Sequence, residues 1–164
     1  MSVHLIRLAT AADAAAIAAI YNQAVIGSTA TFDTEPRSVE ERQAWLAGHD
    51  EAHPVTVLER DGVVVGWASL TPAGERRAWE HTVEISTYVD DSAHGTGVGR
   101  ALGVEIMDRA RALGHHVVIS RICAENEASI HLAGKLGFER VGVMHEVGRK
   151  FDRWLDVVIL EKRV

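Results

Sequence analysis

An apolar strand pattern runs directly into a glycine-rich turn, a combination that can bind an anion. Gly95, Gly97 and Gly99 alternate with Thr96 and Val98 where a helix pattern begins. Glycines let the backbone approach a ligand closely, and the free N–H groups at a helix start carry partial positive charge. A pyrophosphate suits such a turn. The spacing is neither Gly-x-Gly-x-x-Gly nor a Walker motif, and a plain helix-starting turn is the alternative.

A glutamate in the preceding strand pattern could accept a proton. Glu84 lies between Val83 and Ile85, where burial would raise the pKa of its carboxyl group towards the range useful for a general base. Glutamate is mostly exposed in folded proteins, so a solvated strand face is the alternative.

Four side chains elsewhere in the sequence could bind a substrate. Arg76 and Arg77 come shortly before the strand of Glu84, and a guanidinium binds a carboxylate or phosphinate through two parallel hydrogen bonds. Phe32 and Trp79 could form walls around a small side chain. The alternatives are a solvated loop for the arginines and core packing for the aromatic residues.

The nine histidines do not form a recognisable metal-ligand pattern. His115 and His116 are adjacent and would point to opposite sides of a strand, and no His-x-x-x-His pair lies on one face of a predicted helix. The single cysteine, Cys123, excludes an internal disulfide and a cysteine-rich zinc site. We therefore expect no metal.

The elements that position these residues follow from hydrophobic periodicity, capping signals and turn dipeptides. Strand patterns cover Val3–Leu8, Pro54–Arg60, Val63–Leu70, His81–Val89, His116–Ile122, Phe138–Val147 and Trp154–Glu161. Helix patterns are capped by Thr10, by the Ser38/Glu41 capping box, by the glycine-rich turn and by Asn126, and the third carries an apolar stripe ending at Leu113. The Asp61-Gly62 pair predicts a tight hairpin.

This order of elements, β-α-α-β-β-β-α-β-α-β-β, predicts a mixed α/β (α+β) fold. We expect a mostly antiparallel sheet of about seven strands flanked by about four helices, with one right-handed β-α-β crossover. A doubly wound nucleotide fold would alternate strand and helix throughout, so it is excluded. With 164 residues, the chain is expected to form a single domain over residues 1–164.

Composition narrows the possible functions further. Hydrophobic residues make up 47% and charged residues 24% of the chain, which is typical of a globular protein. The formal charge of −6 disfavours nucleic acid as a partner. We see neither a signal peptide nor an apolar run of about 20 residues, so no membrane association and a cytoplasmic location are expected.

Two motifs together resemble the GNAT N-acetyltransferases. His94–Arg100 is similar to the family's acetyl-CoA pyrophosphate loop, Gln/Arg-x-x-Gly-x-Gly/Ala, with His94 in the first position. Asn126 and Ser129, followed by Lys135–Phe138, are similar to the second family signature. The order of elements matches over nearly the whole chain. The resemblance implies the GNAT fold and acetyl-CoA as cosubstrate.

Further segments resemble the phosphinothricin and methionine sulfoximine acetyltransferase branch, which includes L-amino-acid N-acyltransferases. They are Thr29–Phe32, Glu35-Pro36, Thr82–Glu84, Tyr88-Val89 and Gly148–Asp156. The resemblance implies acetylation of the α-amino group of small amino-acid analogues such as phosphinothricin or methionine sulfoximine and sulfone. It also implies a cytoplasmic homodimer that works by direct attack in a ternary complex.

The resemblance assigns roles to individual residues. Glu84 becomes the general base, and Arg76 ranks first for the substrate because a branch member carries an arginine there. Arg77, Phe32 and Trp79 remain substrate candidates from their residue types alone. The implied coenzyme-binding residues are Thr87, Tyr88, Val89, His94, Gly95, Thr96, Gly97, Val98, Gly99, Arg100, Asn126 and Ser129. Plain sheet pairing for the strand residues and an ordinary N-cap for Asn126 are the alternatives.

One position departs from the family. GNAT enzymes often carry a tyrosine, and this branch a histidine, seven residues after the motif asparagine, to protonate the leaving thiolate. Ala133 occupies that position, and His131 would point about 200° away around the helix. No general acid can be assigned, and we expect the coenzyme to leave as a thiolate.

Two rival functions remain open at this point. One is a GNAT enzyme for another amine, such as a protein N-terminus or a polyamine. The other is a non-catalytic acyl-CoA-binding regulatory module. A covalent acyl-enzyme on Cys123 is not expected, because that cysteine has no evident base partner.

Overall fold

A computed structural model describes residues 4–164, and one seven-stranded sheet organises them. The strands are β1 His4–Leu8, β2 Val55–Arg60, β3 Val63–Pro72, β4 Thr82–Val89, β5 Val117–Cys123, β6 Glu139–Lys150 and β7 Arg153–Arg163. The helices are α1 Ala14–Gly27, α2 Val39–Ala47, α3 Val98–Ala112 and α4 Glu127–Lys135. The predicted mixed fold is confirmed. Val3, which the sequence placed in the first strand, lies outside the described residues.

The sheet order is β1-β2-β3-β4-β5-β7-β6, and each neighbouring pair is antiparallel except β4 and β5. Those two parallel strands are joined through α3 and pair only over Thr82–Glu84 and Val117–Ile119. β4 stays paired with β3 as far as Val89. Beyond Glu84, therefore, the edge of β4 that faces β5 is open, and a gap forms between the two strands.

Local capping explains where the first two helices begin. Ser38 accepts a hydrogen bond from the Glu41 amide at 3.1 Å, and Glu41 accepts one from the Ser38 amide at 2.7 Å. The chain before α1 forms a 3-10 turn over Ala11–Asp13, in which the Thr10 amide donates to Asp13 Oδ2 at 2.7 Å. The Ser38/Glu41 capping prediction is confirmed, whereas Thr10 caps the 3-10 turn and α1 itself begins after Asp13.

Apolar side chains pack on both faces of the sheet. The larger cluster joins α3 to the central strands and includes Leu70, Leu102, Ile106 and Val118. The stripe predicted along α3 is buried except at its end, because Leu113 follows the helix and is 42% exposed. The smaller cluster lies under α1, on the opposite side, and contains Trp67.

The two hairpin turns differ in how far the sequence predicted them. Asp61 and Gly62 both have positive φ, at 52° and 81°, as the Asp-Gly signal implies. The β6–β7 turn uses Phe151 and Asp152 at 51° and 57°, and both strands extend further than predicted. No glycine marks this turn, so its strands were predicted too short.

An ion pair beneath the first helix gives a prediction about stability. Arg7 donates to both oxygens of Asp13, at 2.8 and 2.9 Å, and Asp13 is 6% exposed. These bonds hold the pKa of the Asp13 carboxyl group below its usual range. The stabilisation is therefore present above the pKa of an unfolded aspartate and is lost as the pH falls towards the lower folded pKa.

We expect Asp13→Asn to lower the free energy of unfolding by about 1–2 kcal/mol at neutral pH. The difference from wild type should shrink below about pH 4. Urea denaturation at both pH values measures this. Asp108→Asn is the control, because Asp108 forms an exposed pair with Arg111 and should change stability little. A difference for Asp13→Asn that does not depend on pH would contradict the assignment.

Candidate active site

A cleft of about 1050 Å³ opens where β4 and β5 diverge. Its walls also include the start of α3, the start of α4 and the loop that follows α1. Most of the residues singled out from the sequence line it: Phe32, Glu84, Thr87, Tyr88, Val89, His94, Gly95, Gly97, Val98, Gly99, Arg100, Asn126 and Ser129. The strand divergence thus creates a groove that runs from Glu84 to the glycine-rich turn.

The glycine-rich turn has the backbone that its sequence predicts. Gly95 and Gly97 have φ of 72° and 88°, and Gly97 is the N-cap of α3. His94 fastens the turn to β4 through a 2.9 Å hydrogen bond between Nε2 and the Val89 carbonyl. The first N–H groups of α3 have no partner within the helix and can bind an anion.

The Thr96 side chain does not line the cleft, although the resemblance implies that this residue binds the coenzyme. Its hydroxyl donates to the Ala93 carbonyl at 2.6 Å and accepts from Arg60 Nη2 at 2.8 Å. Its side chain is thus bound within the turn, and Thr96 is absent from the cleft lining. Thr96 holds the turn in shape from outside.

The start of α4 forms the side of the cleft opposite β4. Asn126 caps this helix by accepting a 3.3 Å hydrogen bond from the Ser129 amide. The N-cap alternative is therefore present, and both residues also line the cleft. Ala133 is buried against the cleft, whereas His131 is exposed and lies outside it. Position 133 thus brings no acid group to the site.

Glu84 lies at the point where the two strands separate, paired with an arginine that the sequence analysis missed. Arg121, on β5, donates from Nε to Glu84 Oε1 at 3.0 Å and from Nη2 to Glu84 Oε2. The glutamate side chain is 21% exposed. The carboxylate is thus largely covered, and Arg121 is the group that contacts both of its oxygens. The carboxylate raises the pKa of Arg121 above its ordinary value.

The loop after α1 holds Phe32 in the cleft wall, because hydrogen bonds fix Thr31 and Asp33, the residues on either side of it in the chain. The Tyr21 hydroxyl lies 2.8 Å from Thr31 Oγ1 and 2.6 Å from Asp33 Oδ2. Lys150, at the end of β6, donates from Nζ to the Thr31 carbonyl at 2.9 Å. Burial of this ammonium lowers the pKa of Lys150. The loop is therefore fixed to α1 and to the last hairpin.

The Phe32 ring packs directly against a glycine of β6. A Cβ atom added to Gly148 would lie 2.2 Å from Phe32 Cε2, whereas one added to Gly142 meets nothing within 4 Å. We expect Gly148→Ala to displace the ring and to raise, about 10-fold, the KM for the amino-acid substrate that the resemblance implies. Gly142→Ala, on the same strand, should leave it unchanged. Steady-state kinetics measures both, and equal KM values would contradict a role for Phe32 as a wall.

The remaining three predicted substrate residues do not reach the cleft. Arg76, Arg77 and Trp79 are exposed and lie in the loop between β3 and β4. The Trp79 ring is folded back on this loop, where a Cβ added to Gly74 would lie 3.1 Å from it. These three side chains lie outside the cleft of a single chain, and their part in substrate binding stays a prediction.

The described residues offer neither a membrane-spanning helix nor a cluster of metal ligands. Between residues 4 and 164, no helix is long and apolar enough to cross a membrane. Over the same residues, no three histidine, cysteine, aspartate or glutamate side chains converge as metal ligands.

Known proteins resemble this chain over nearly its whole length. Residues 6–159 match the acetyltransferase (GNAT) domain. The chain is 41% identical over 157 residues to the L-amino acid N-acyltransferase MnaT of Escherichia coli K12, covering 95% of this chain and 91% of that protein. It is 40% identical over 157 residues to the L-methionine sulfoximine/L-methionine sulfone acetyltransferase of Salmonella typhimurium, covering 95% and 92%.

A solved structure agrees with these relatives. The crystal structure of a GNAT superfamily phosphinothricin acetyltransferase from Sinorhizobium meliloti, in complex with AcCoA, gives a TM-score of 0.91 at 34% identity. The match covers 98% of this chain and 88% of that one. The resemblance deduced from the motifs is confirmed: the chain belongs to the GNAT acetyltransferase family and is an acyltransferase.

Proposed function

We propose that this protein transfers the acetyl group of acetyl-CoA to the α-amino group of small amino-acid analogues such as methionine sulfoximine, methionine sulfone or phosphinothricin. One observation carries the proposal: a single cleft joins Glu84 to the anion-binding turn along the open edge of β4. The names of the relatives support the choice of acceptor.

The chain's own groups suit the coenzyme. The backbone N–H groups after Gly97 are suited to its pyrophosphate, and Gly95 leaves space because no atom lies within 4 Å of an added Cβ. The open backbone of Thr87–Val89 can pair with the amide-rich arm as a strand edge pairs with a peptide. When bound, acetyl-CoA supplies a thioester whose carbonyl carbon accepts a nucleophile.

Glu84 prepares the nucleophile in this proposal. An α-ammonium group must lose a proton before it can attack, and the Glu84 carboxylate takes that proton directly or through a water. The amine nitrogen then adds to the carbonyl carbon, and a backbone N–H of β4 stabilises the resulting oxyanion. The nitrogen releases its second proton to solvent, and the intermediate collapses with cleavage of the C–S bond. The sulfur leaves as a thiolate, because Ala133 offers no proton.

The acceptor class is tested by thiol release from acetyl-CoA with a panel of amines. The panel contains methionine sulfoximine, methionine sulfone, phosphinothricin, plain amino acids, a polyamine and an N-terminal peptide. We expect turnover to concentrate on the amino-acid analogues. Turnover confined to the peptide or the polyamine would overturn the acceptor assignment and leave the family unchanged.

The proposal also includes a cytoplasmic homodimer. Val141, Val147 and Trp154 on the β6–β7 hairpin are more than half exposed, and a second copy of the chain would cover such apolar surface. Light scattering at assay concentration tests the dimer, and a monomeric mass would contradict it.

A further inference from the structure

The ion pair between Glu84 and Arg121 bridges the mouth of the gap between β4 and β5. Regular pairing of the two strands ends at Glu84 and Ile119. Arg121 lies two residues further along β5, and its guanidinium crosses back to the carboxylate. Both side chains line the cleft, and the Arg121 side chain is 50% exposed.

This pair conflicts with the proposed work of Glu84 when no acceptor is bound. Arg121 occupies both carboxylate oxygens, Oε1 and Oε2. An acceptor ammonium, or the water that relays its proton, must contact one of those oxygens before the proton can be transferred. The ammonium therefore competes with the guanidinium for the Glu84 carboxylate, and this exchange is favoured when the guanidinium receives another anion in return.

We propose that Arg121 binds the carboxylate of the acceptor and so selects α-amino acids over simple amines. This inference rests on the proposed function, because it assigns a residue to the acceptor of that reaction. An α-amino acid carries its ammonium and carboxylate on the same carbon atom. Its ammonium replaces Arg121 at Glu84, while its carboxylate replaces Glu84 at Arg121. One ion pair is exchanged for two, and no charge is left without a partner.

Other cations are less suited to this position. Arg100 lines the cleft at the glycine-rich turn, at the proposed coenzyme end. Arg153 does not line the cleft and is held by Glu125 through two hydrogen bonds of 2.7 and 3.0 Å. Arg76 and Arg77 lie in an exposed loop outside it. Arg121 is the cation that contacts the proposed base directly, so its position fixes where an acceptor carboxylate can bind.

The test compares methionine sulfone with its α-carboxamide as acceptors, at saturating acetyl-CoA. The carboxamide keeps the α-amino group and the side chain but has no carboxylate. We expect wild type to prefer the acid in kcat/KM by about 10- to 100-fold, as is typical of a two-point charged contact. Arg121→Met should remove this preference, mainly by raising the KM for the acid, and should change the KM for the carboxamide less than about 3-fold.

Two further variants separate recognition from folding. Arg121→Lys keeps the charge but loses the second hydrogen bond, so it should retain an intermediate preference for the acid. Arg140→Met removes an exposed strand arginine outside the cleft and should leave both KM values unchanged. Thermal melting of each variant checks that it is folded.

The outcomes are distinct. An equal loss of kcat/KM for acid and carboxamide in Arg121→Met would overturn the inference and show that Arg121 only orients Glu84. Unchanged kinetics would overturn it as well. If wild type acetylates neither compound while it acetylates a peptide or polyamine, the proposed function itself fails.

Discussion

Glu84→Gln is expected to lower kcat by about 10²- to 10⁴-fold, the usual contribution of a positioned general base. The amide has nearly the same shape as the carboxylate and cannot accept the proton of the acceptor ammonium. The affinity for acetyl-CoA should stay within about 2-fold of wild type, because Glu84 lies at the opposite end of the cleft from the glycine-rich turn. Calorimetric titration and saturation kinetics measure the two quantities separately.

Glu125→Gln is the matched control for this substitution. Glu125 also lines the cleft, but its carboxylate is bound by Arg153 and by Thr29. Its substitution should lower kcat less than about 10-fold. A kcat for Glu84→Gln that stays close to wild type would remove Glu84 from the mechanism. A wild type that binds acetyl-CoA without turning over any amine would favour the non-catalytic module.

Gly97→Ala should raise the Kd for acetyl-CoA about 10-fold or more. The backbone φ of Gly97 is +88°, and an L-residue pays about 1–2 kcal/mol in this region. Relaxation of that strain turns the first N–H groups of α3 away from the anion they are proposed to bind. The acceptor KM, measured at saturating coenzyme, should change little.

Gly134→Ala controls for loss of a glycine as such. Gly134 lies within α4, does not line the cleft, and a Cβ added there meets nothing within 4 Å. This variant should bind acetyl-CoA normally and be slightly more stable, since alanine favours helices over glycine. If Gly97→Ala bound the coenzyme as tightly as Gly134→Ala, the turn would have no role in anion binding.

The sequence predicted those parts of the fold that local patterns determine. Periodic apolar residues and capping boxes marked the helices, and the Asp61-Gly62 pair marked the first hairpin turn. The β6–β7 turn was not predicted, because Phe151 and Asp152 adopt positive φ and no glycine marks the turn in the sequence. β6 also has an irregular register between Met144 and Gly148. The sequence did not predict it, because it depends on a contact between two strands: the Asp156 side chain accepts a hydrogen bond from the Glu146 amide at 2.8 Å.

The candidate site was predicted less completely, because strand separation decides which side chains meet. Glu84 and the glycine-rich turn could be named from their motifs. Arg121 could not, since its contact with Glu84 depends on the divergence of β4 from β5. The only sign of Arg121 in the sequence was its charge within a largely apolar strand pattern. Arg76 shortly precedes the strand of Glu84 in the sequence, but its loop lies outside the cleft.

The measurement that tests the central claim most directly is the reaction of the wild-type protein with acetyl-CoA and L-methionine sulfoximine, with the product identified by NMR. We expect sustained turnover and an acetyl group on the α-nitrogen, in amounts equal to the thiol released. Binding of acetyl-CoA with no acetylated product from this or any other small amino acid would contradict the account.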